Sequence, residues 1–369
     1  IIIGGGFAGL TASRKLAAHK DIFEVTLLDK KNGFDFLPSL PDSIGRGITP
    51  GSLTYNIESI SRRKGFEFIN EEVSGLDLDK RKVFTEKRNL EYDYLIIASG
   101  SETNFYGNEN IQKEAFRLDS AEDADRIRKV IREKLFSNYV VSGGGYTGIE
   151  VATNLRLFLN KNKNKGKIVI VERASAILGP LPGWIKQYVL SNLIKMDIEL
   201  LLNASIERIE NNIVYLQGGK TLNDSLVIWA AGVKTAGFIQ NLKAEKNPQG
   251  RIQVNEYLKL NDRCFVAGDA AYFKYKDAYL RMAVQFAIIE GESAANNVIN
   301  SVLGKKLKSY KPLDLGYIIP MANNRSCGVV FGLKIKGVVA TIFHFMMCIY
   351  RLCGFRNKIW FMKGLLTRV

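Results

Sequence analysis

Histidine is almost absent from this chain. Only His19 and His344 occur among 369 residues. A histidine metal site or a Ser-His-Asp triad needs converging imidazoles and is not expected. Cysteine is scarce too. Cys264, Cys327, Cys348 and Cys353 are the whole supply, and none precedes position 264. A disulfide framework is therefore not expected, and a reducing compartment is, with no secretory leader visible from Ile1 onward. Acidic residues vanish from Leu315 to Val369, where Arg325, Lys334, Lys336, Arg351, Arg356, Lys358, Lys363 and Arg368 stand alone. The apolar run Gly337–Tyr350 has 14 residues, short of the roughly 20 that cross a bilayer.

What is present is glycine in two telling places. The chain is 46% hydrophobic and 24% charged, a globular composition of two or three domains. It opens "IIIGGGFAGL". Ile1–Ile3 reads as a buried parallel strand, and Gly4, Gly6 and Gly9 then form G-x-G-x-x-G before a helix. The first glycine allows a tight turn, the second bares the backbone to a pyrophosphate, and the third lets helix pack closely on strand. The helix N-terminus adds free N–H groups and partial positive charge. A second strand ends at Asp29, placed to accept from a ribose diol. "YVVSGGGYTGIE" repeats the plan with Gly143, Gly145 and Gly148, and its next strand ends at Glu172. Two such units predict two dinucleotide sites. A carboxylate at Glu172 favours NADH, because it would repel the 2′-phosphate of NADPH, although Arg173 beside it could meet a phosphate.

Three further segments fit this plan. "YDYLIIASG" (Tyr92–Gly100) and "DSLVIWAAG" (Asp224–Gly232) are apolar strands ending in small residues that allow a flat cofactor or a crossing backbone to approach. In "CFVAGDAA" (Cys264–Ala271), Asp269 could accept from a ribityl hydroxyl.

The order GGGFAG, ASG, GGGYTGIE, WAAG, AGDAA resembles the two-dinucleotide-domain flavoproteins. "GSETNFYGN", "VIWAAGV" and the basic, apolar tail are similar to type II NADH:quinone oxidoreductases in particular. The resemblance implies an α/β fold with two Rossmann-like dinucleotide-binding domains, for FAD and NAD, plus a basic amphipathic C-terminal membrane-anchoring segment. It implies an FAD domain of residues 1–107 and 230–310, an NADH domain of 108–229, and a membrane-associated region of 311–369. FAD would be lined by Gly4, Gly6, Phe7, Ala8, Gly9, Asp29, Lys30, Ser99, Gly100, Gly268 and Asp269. NADH, the substrate, would be lined by Gly143, Gly145, Tyr146, Thr147, Gly148, Glu172 and Gly232. Glu150 matches the family acid near the nicotinamide. No metal is expected.

Many relatives of this kind pass electrons through a Cys-x-x-x-x-Cys pair shortly after the first motif. "NGFDFLPSLPDSIG" (Asn32–Gly45) holds no cysteine, so that relay is excluded and the flavin would reduce its acceptor directly. The family's quinone-side pattern, A-Q-x-A-x-Q-x-G, is met by "VQFAIIEG". Gln285, Ala287 and Gly291 match, while Val284 and Ile289 depart. Gln285 is thereby a catalytic candidate toward a lipid quinone. The tail mixes Phe355, Trp360, Phe361 and Leu365 with basic residues, as an in-plane anchor on an anionic membrane does. Peripheral attachment to the cytoplasmic face of a cell membrane, or the equivalent face of an organelle's inner membrane, follows. Nucleic acid would not use the apolar run. A homodimer interface would. Two other readings stand beside this one: a soluble NAD(P)H–flavin reductase for ferredoxin or rubredoxin, and a basic flavoprotein of the apoptosis-inducing kind.

Overall fold

Runs of Ile, Leu and Val buried on both faces build two separate sheets that are mainly parallel, as near-continuous hydrophobic strands require. The computed structural model describes residues 1–366; Arg368 of the basic tail lies outside them. The chain forms two compact units. One comprises residues 1–34, 55–102 and 233–314, the other 35–54, 103–232 and 315–369.

The first unit holds a six-stranded sheet. Its order is Lys259–Asn261, Cys264–Val266, Leu95–Ile97, Ile2–Ile3, Thr26–Asp29 and Glu67–Asn70. Ile2 pairs in parallel with both Leu27 and Ile96. All four residues Ile2, Ile3, Leu27 and Leu28 are buried. Helix Phe7–Ala17 packs against helix Val284–Val302. Gly291 permits that approach, because a Cβ there would lie 2.2 Å from the Ala8 carbonyl oxygen.

The second unit holds a four-stranded parallel sheet: Ile198–Leu201, Lys167–Val171, Asn138–Ser142, Ser225–Trp229. Helix Tyr146–Lys161 packs on its central strands and on the short helix Leu40–Gly45. That contact is why segment 35–54 belongs to this unit: a Cβ on Gly45 would meet the Asn154 carbonyl oxygen at 2.1 Å. Three antiparallel strands, Gly316–Ile319, Ser326–Val330 and Leu333–Lys336, lead into helices Gly337–Arg351 and Phe355–Leu366.

The tail helices are two-faced in an unusual sense. On Gly337–Arg351, Val339, Ile342, Phe343, Met346 and Tyr350 are exposed, and they follow the i, i+3, i+4, i+7 spacing of one stripe. Ala340, Thr341 and Cys348 are buried. On Phe355–Leu366, Phe361 is fully buried while Phe355, Trp360 and Leu366 face out. The outward stripe is thus apolar, and basic residues flank it. Among the described residues, no helix is long and apolar enough to cross a membrane.

Candidate functional site

Each unit carries one glycine turn, and the two are built alike. Gly4 and Gly143 have φ of +104° and +105°, a left-handed backbone open to glycine. Added Cβ atoms would also strike Ala98 O at 2.2 Å and Ala230 O at 2.7 Å. On Gly9 a Cβ would sit 1.8 Å from the Gly4 oxygen, and on Gly148 1.8 Å from the Gly143 oxygen. These four glycines are demanded by the fold itself. Gly6 and Gly145 are different. A Cβ there meets nothing within 4 Å, and both residues have ordinary extended backbones (φ −78° and −80°). Their bareness serves no internal contact. Neither helix start carries a side-chain cap or a first-turn acid, so both are left suited to an anion.

The strand-end acids also match. Asp29 accepts from the backbone N–H of Gly5 (2.5 Å) and of Lys31 (2.7 Å). Glu172 accepts from Gly144 (2.6 Å) and Ala174 (2.7 Å). Each carboxylate ties the glycine turn to its own strand end, and its oxygens retain lone pairs for ribose hydroxyls. Burial raises the Asp29 carboxyl above its ordinary range, against those N–H bonds. Lys30 pairs with Glu72 (3.2 Å) and Glu102 (3.5 Å) on the surface.

Around the first cradle, the Ser99 hydroxyl is buried without a partner, the state of a group that awaits a ligand. Asp269 accepts from Ser101 Oγ at 2.7 Å, and burial raises its carboxyl. Phe7 sets its ring edge-on to Phe34 at 4.9 Å. Gly100 and Gly268 both have positive φ, and the bare Cα of Gly268 faces Ala8.

Two residues at this site stand at no specified position of any motif. Glu290, 2% exposed, accepts from the Gly268 N–H at 2.7 Å; burial pushes its carboxyl up to about 8. Buried Arg251 donates to the carbonyls of Asp269 (3.1 Å), Ala271 (2.5 Å) and Leu280 (2.9 Å). Together they brace the turn that carries Asp269. A carboxylate inside an apolar helical stretch is the one sequence signal of Glu290.

Around the second cradle, Gly145 and Thr147 are exposed at the helix start, and Tyr146 lies edge-on to Tyr317 at 6.2 Å. Gly232 (φ +110°) lets the Tyr106 hydroxyl approach, which a Cβ would meet at 2.2 Å. Glu150, one turn into the helix, is half-buried. Burial pushes its carboxyl up to about 8, with Asp42 adding to the rise and His344 opposing it. Gln285 sits in the first unit. Its Nε2 donates to Asp314 at 2.9 Å, and Asp314 is held by Arg281 at 2.6 and 2.8 Å. No group of three or more His, Cys, Asp or Glu able to hold a metal ion occurs among the described residues.

The profile of the pyridine nucleotide-disulphide oxidoreductases matches residues 1–291. The type II NADH:quinone oxidoreductase of Staphylococcus aureus (strain NCTC 8325 / PS 47) is 26% identical, covering 91% of this chain and 90% of that one. The NDH2 structure from Plasmodium falciparum in complex with NADH superposes with a TM-score of 0.84 at 18% identity, covering 99% of this chain and 96% of its own. The sulfide:quinone oxidoreductase of Aquifex aeolicus gives 0.80 at 20% identity, covering 97% and 91%.

Proposed function

Because this chain belongs to the pyridine nucleotide-disulphide oxidoreductase family, we propose that it is an FAD-dependent NADH:quinone oxidoreductase working at a membrane surface. The paired cradles carry this reading. Each leaves open space over one glycine, beside an uncapped helix start. FAD would lie on the first, held by the Gly4–Gly9 turn, Asp29, Ser99 and Asp269; NADH would lie on the second, held by the Gly143–Gly148 turn and Glu172. FAD, when bound, accepts a hydride from NADH and passes two electrons to an acceptor. The chain's own part is to bind, orient and hold charge.

Two of the four thiols are closed off from chemistry. Cys264 and Cys327 are fully buried, and burial pushes both up to about 12, which keeps them as inert thiols. This speaks against sulfide chemistry and leaves direct reduction of a quinone, the substrate named in the curated relatives. With Val284 and Ile289 in the quinone-side segment, the pocket is more apolar than the family pattern. Anaerobic NADH should bleach the yellow protein, and ubiquinone or menaquinone analogues should restore its colour. A protein that NADH bleaches but that reduces only ferredoxin or rubredoxin would overturn the quinone assignment.

Glu172→Ala should narrow or reverse the preference for NADH over NADPH, measured as a ratio of kcat/KM. It also removes two backbone-supporting hydrogen bonds, worth about 1 kcal/mol each. An unchanged ratio would remove Glu172 from nicotinamide discrimination.

The exposed apolar stripe with flanking Lys334, Lys336, Arg351, Lys358 and Lys363 is a surface for anionic lipid. Cutting off the tail would not test this cleanly, since Ala340, Leu352 and Phe361 are core residues. Ile342→Glu with Met346→Glu changes the outward face alone. The double variant should lose flotation with vesicles containing phosphatidylglycerol while keeping its flavin; retained flotation would exclude this stripe as the anchor.

A further inference from the structure

The hairpin that leads into the tail helix turns on a residue its backbone does not favour. Ser326–Val330 and Leu333–Lys336 pair antiparallel, with Val330 opposite Leu333, so Phe331 and Gly332 alone make the turn. Their φ angles are +49° and +80°. Two positive φ angles in a two-residue hairpin turn are the pattern of type I′, which selects Asn-Gly or Asp-Gly. Glycine holds the second position. Phenylalanine holds the first, and a bulky side chain on a left-handed backbone is a steric outlier. Packing does not offset that cost. Phe331 is 72% exposed, and Leu333 beside it is 70% exposed. Strain held without burial points outward, to something the tip meets.

The surroundings in the second unit say what that is. Behind the tip, Lys334 and Lys336 stand two residues apart on one strand and so share a face. Their ammonium groups lie over the Trp184 ring, 5.8 and 5.1 Å from its centroid, and Lys336 lies 5.3 Å from the centre of the Tyr188 ring. Those aromatics belong to helix Gly183–Lys195, which carries Lys186 and Lys195 and no acid. The strand runs directly into helix Gly337–Arg351, where Val338 and Val339 are exposed. From Leu315 onward the chain has no acid at all. The hairpin thus presents an apolar tip, then ammonium groups set on Trp and Tyr rings. In a membrane, apolar side chains enter the acyl boundary while Trp, Tyr and Lys settle at headgroup level. A soluble acidic partner would meet the lysines but leave the phenylalanine and leucine ahead of them in water.

We propose that this hairpin tip is a lipid-entering element distinct from the stripe on the tail helix: Phe331 and Leu333 insert into the apolar layer of an anionic membrane, while Lys334 and Lys336 stay at its phosphates. The inference rests on the membrane reading given above and adds a second element to it. A helix lying in the plane of a surface can roll about its own axis. A second point of attachment, one short strand away, stops that roll.

Phe331→Asn tests this in the full chain, because the one change should act oppositely on fold and on binding. Asparagine suits the turn, so the melting temperature in solution should equal or exceed the native value. The partition coefficient onto vesicles of phosphatidylglycerol and phosphatidylcholine, read by flotation, should fall at least about tenfold with the loss of one buried aromatic side chain. Phe331→Trp should bind as the native chain does, and brominated lipid should quench its emission beyond that of the three native tryptophans. A lower melting temperature in Phe331→Asn would give the ring a place in the fold and overturn the inference. Absence of added quenching in Phe331→Trp would overturn it as well. A native dimer that Phe331→Asn turns into a monomer with unchanged vesicle binding would assign the tip to an interface between copies instead. Native flotation matched by Phe331→Asn removes this element and leaves the membrane reading standing; a native chain that does not float removes both.

Discussion

Gly6→Val should give a folded protein without colour. A valine Cβ at this position meets no atom within 4 Å, and the backbone is one that any residue adopts. The cost to the fold is limited to a poorer helix N-cap, about 1 kcal/mol. The cost to a pyrophosphate is large, because the branched side chain fills the space over the helix start that the phosphates would enter. Flavin content should fall from about one per chain to less than about a tenth, with affinity down at least about 100-fold, roughly 3 kcal/mol. Circular dichroism and a thermal melt of the apoprotein should match the native apoprotein closely. Gly9→Val is the control. Its Cβ would overlap the Gly4 oxygen, so that chain should fail to fold. A yellow Gly6→Val protein with full FAD would show that the cofactor does not lie on this turn.

Gly145→Val should separate the two nucleotides. The second turn has the same open position, again with no atom within 4 Å of the added Cβ. The variant should purify yellow, since the first cradle is untouched. Anaerobic bleaching by NADH should then need at least about 100-fold more nucleotide, again roughly 3 kcal/mol, while dithionite still reduces the flavin fully. Equal NADH affinity in the variant would place the nicotinamide nucleotide elsewhere. Loss of both nucleotides from this single change would contradict a division of labour between the turns.

The cradles are readable in the sequence because backbone geometry, not side-chain chemistry, dictates them. Gly4 and Gly9 are fixed by one carbonyl oxygen each, at a spacing a helix start imposes. Asp29 and Glu172 are readable as strand-end acids; that each also binds two backbone N–H groups is not. Glu290 lies 22 positions from Gly268, and His344 and Asp42, whose side chains come within 3.8 Å of each other, stand near opposite ends of the chain, so no local periodicity points from one partner to the other. Gln285 is visible as part of a motif, whereas its partner Asp314 lies in a loop with no pattern of its own. The tail's apolar run is evident. Which residues face inward is decided by packing: His344 and Phe361 interrupt a run that composition alone treats as uniform.

The order of strands in the first sheet sets a schedule for synthesis. Leu95–Ile97 is flanked by Ile2–Ile3 on one side and Cys264–Val266 on the other. About 170 residues separate Leu95–Ile97 from Cys264–Val266, roughly ten to thirty seconds of translation. Throughout that interval the nascent first unit exposes an unpaired strand edge, while the continuous stretch 103–232 of the second unit is made. Chaperone engagement should concentrate on the emerged N-terminal segment up to Gly100 and end when the strand at 264–266 appears.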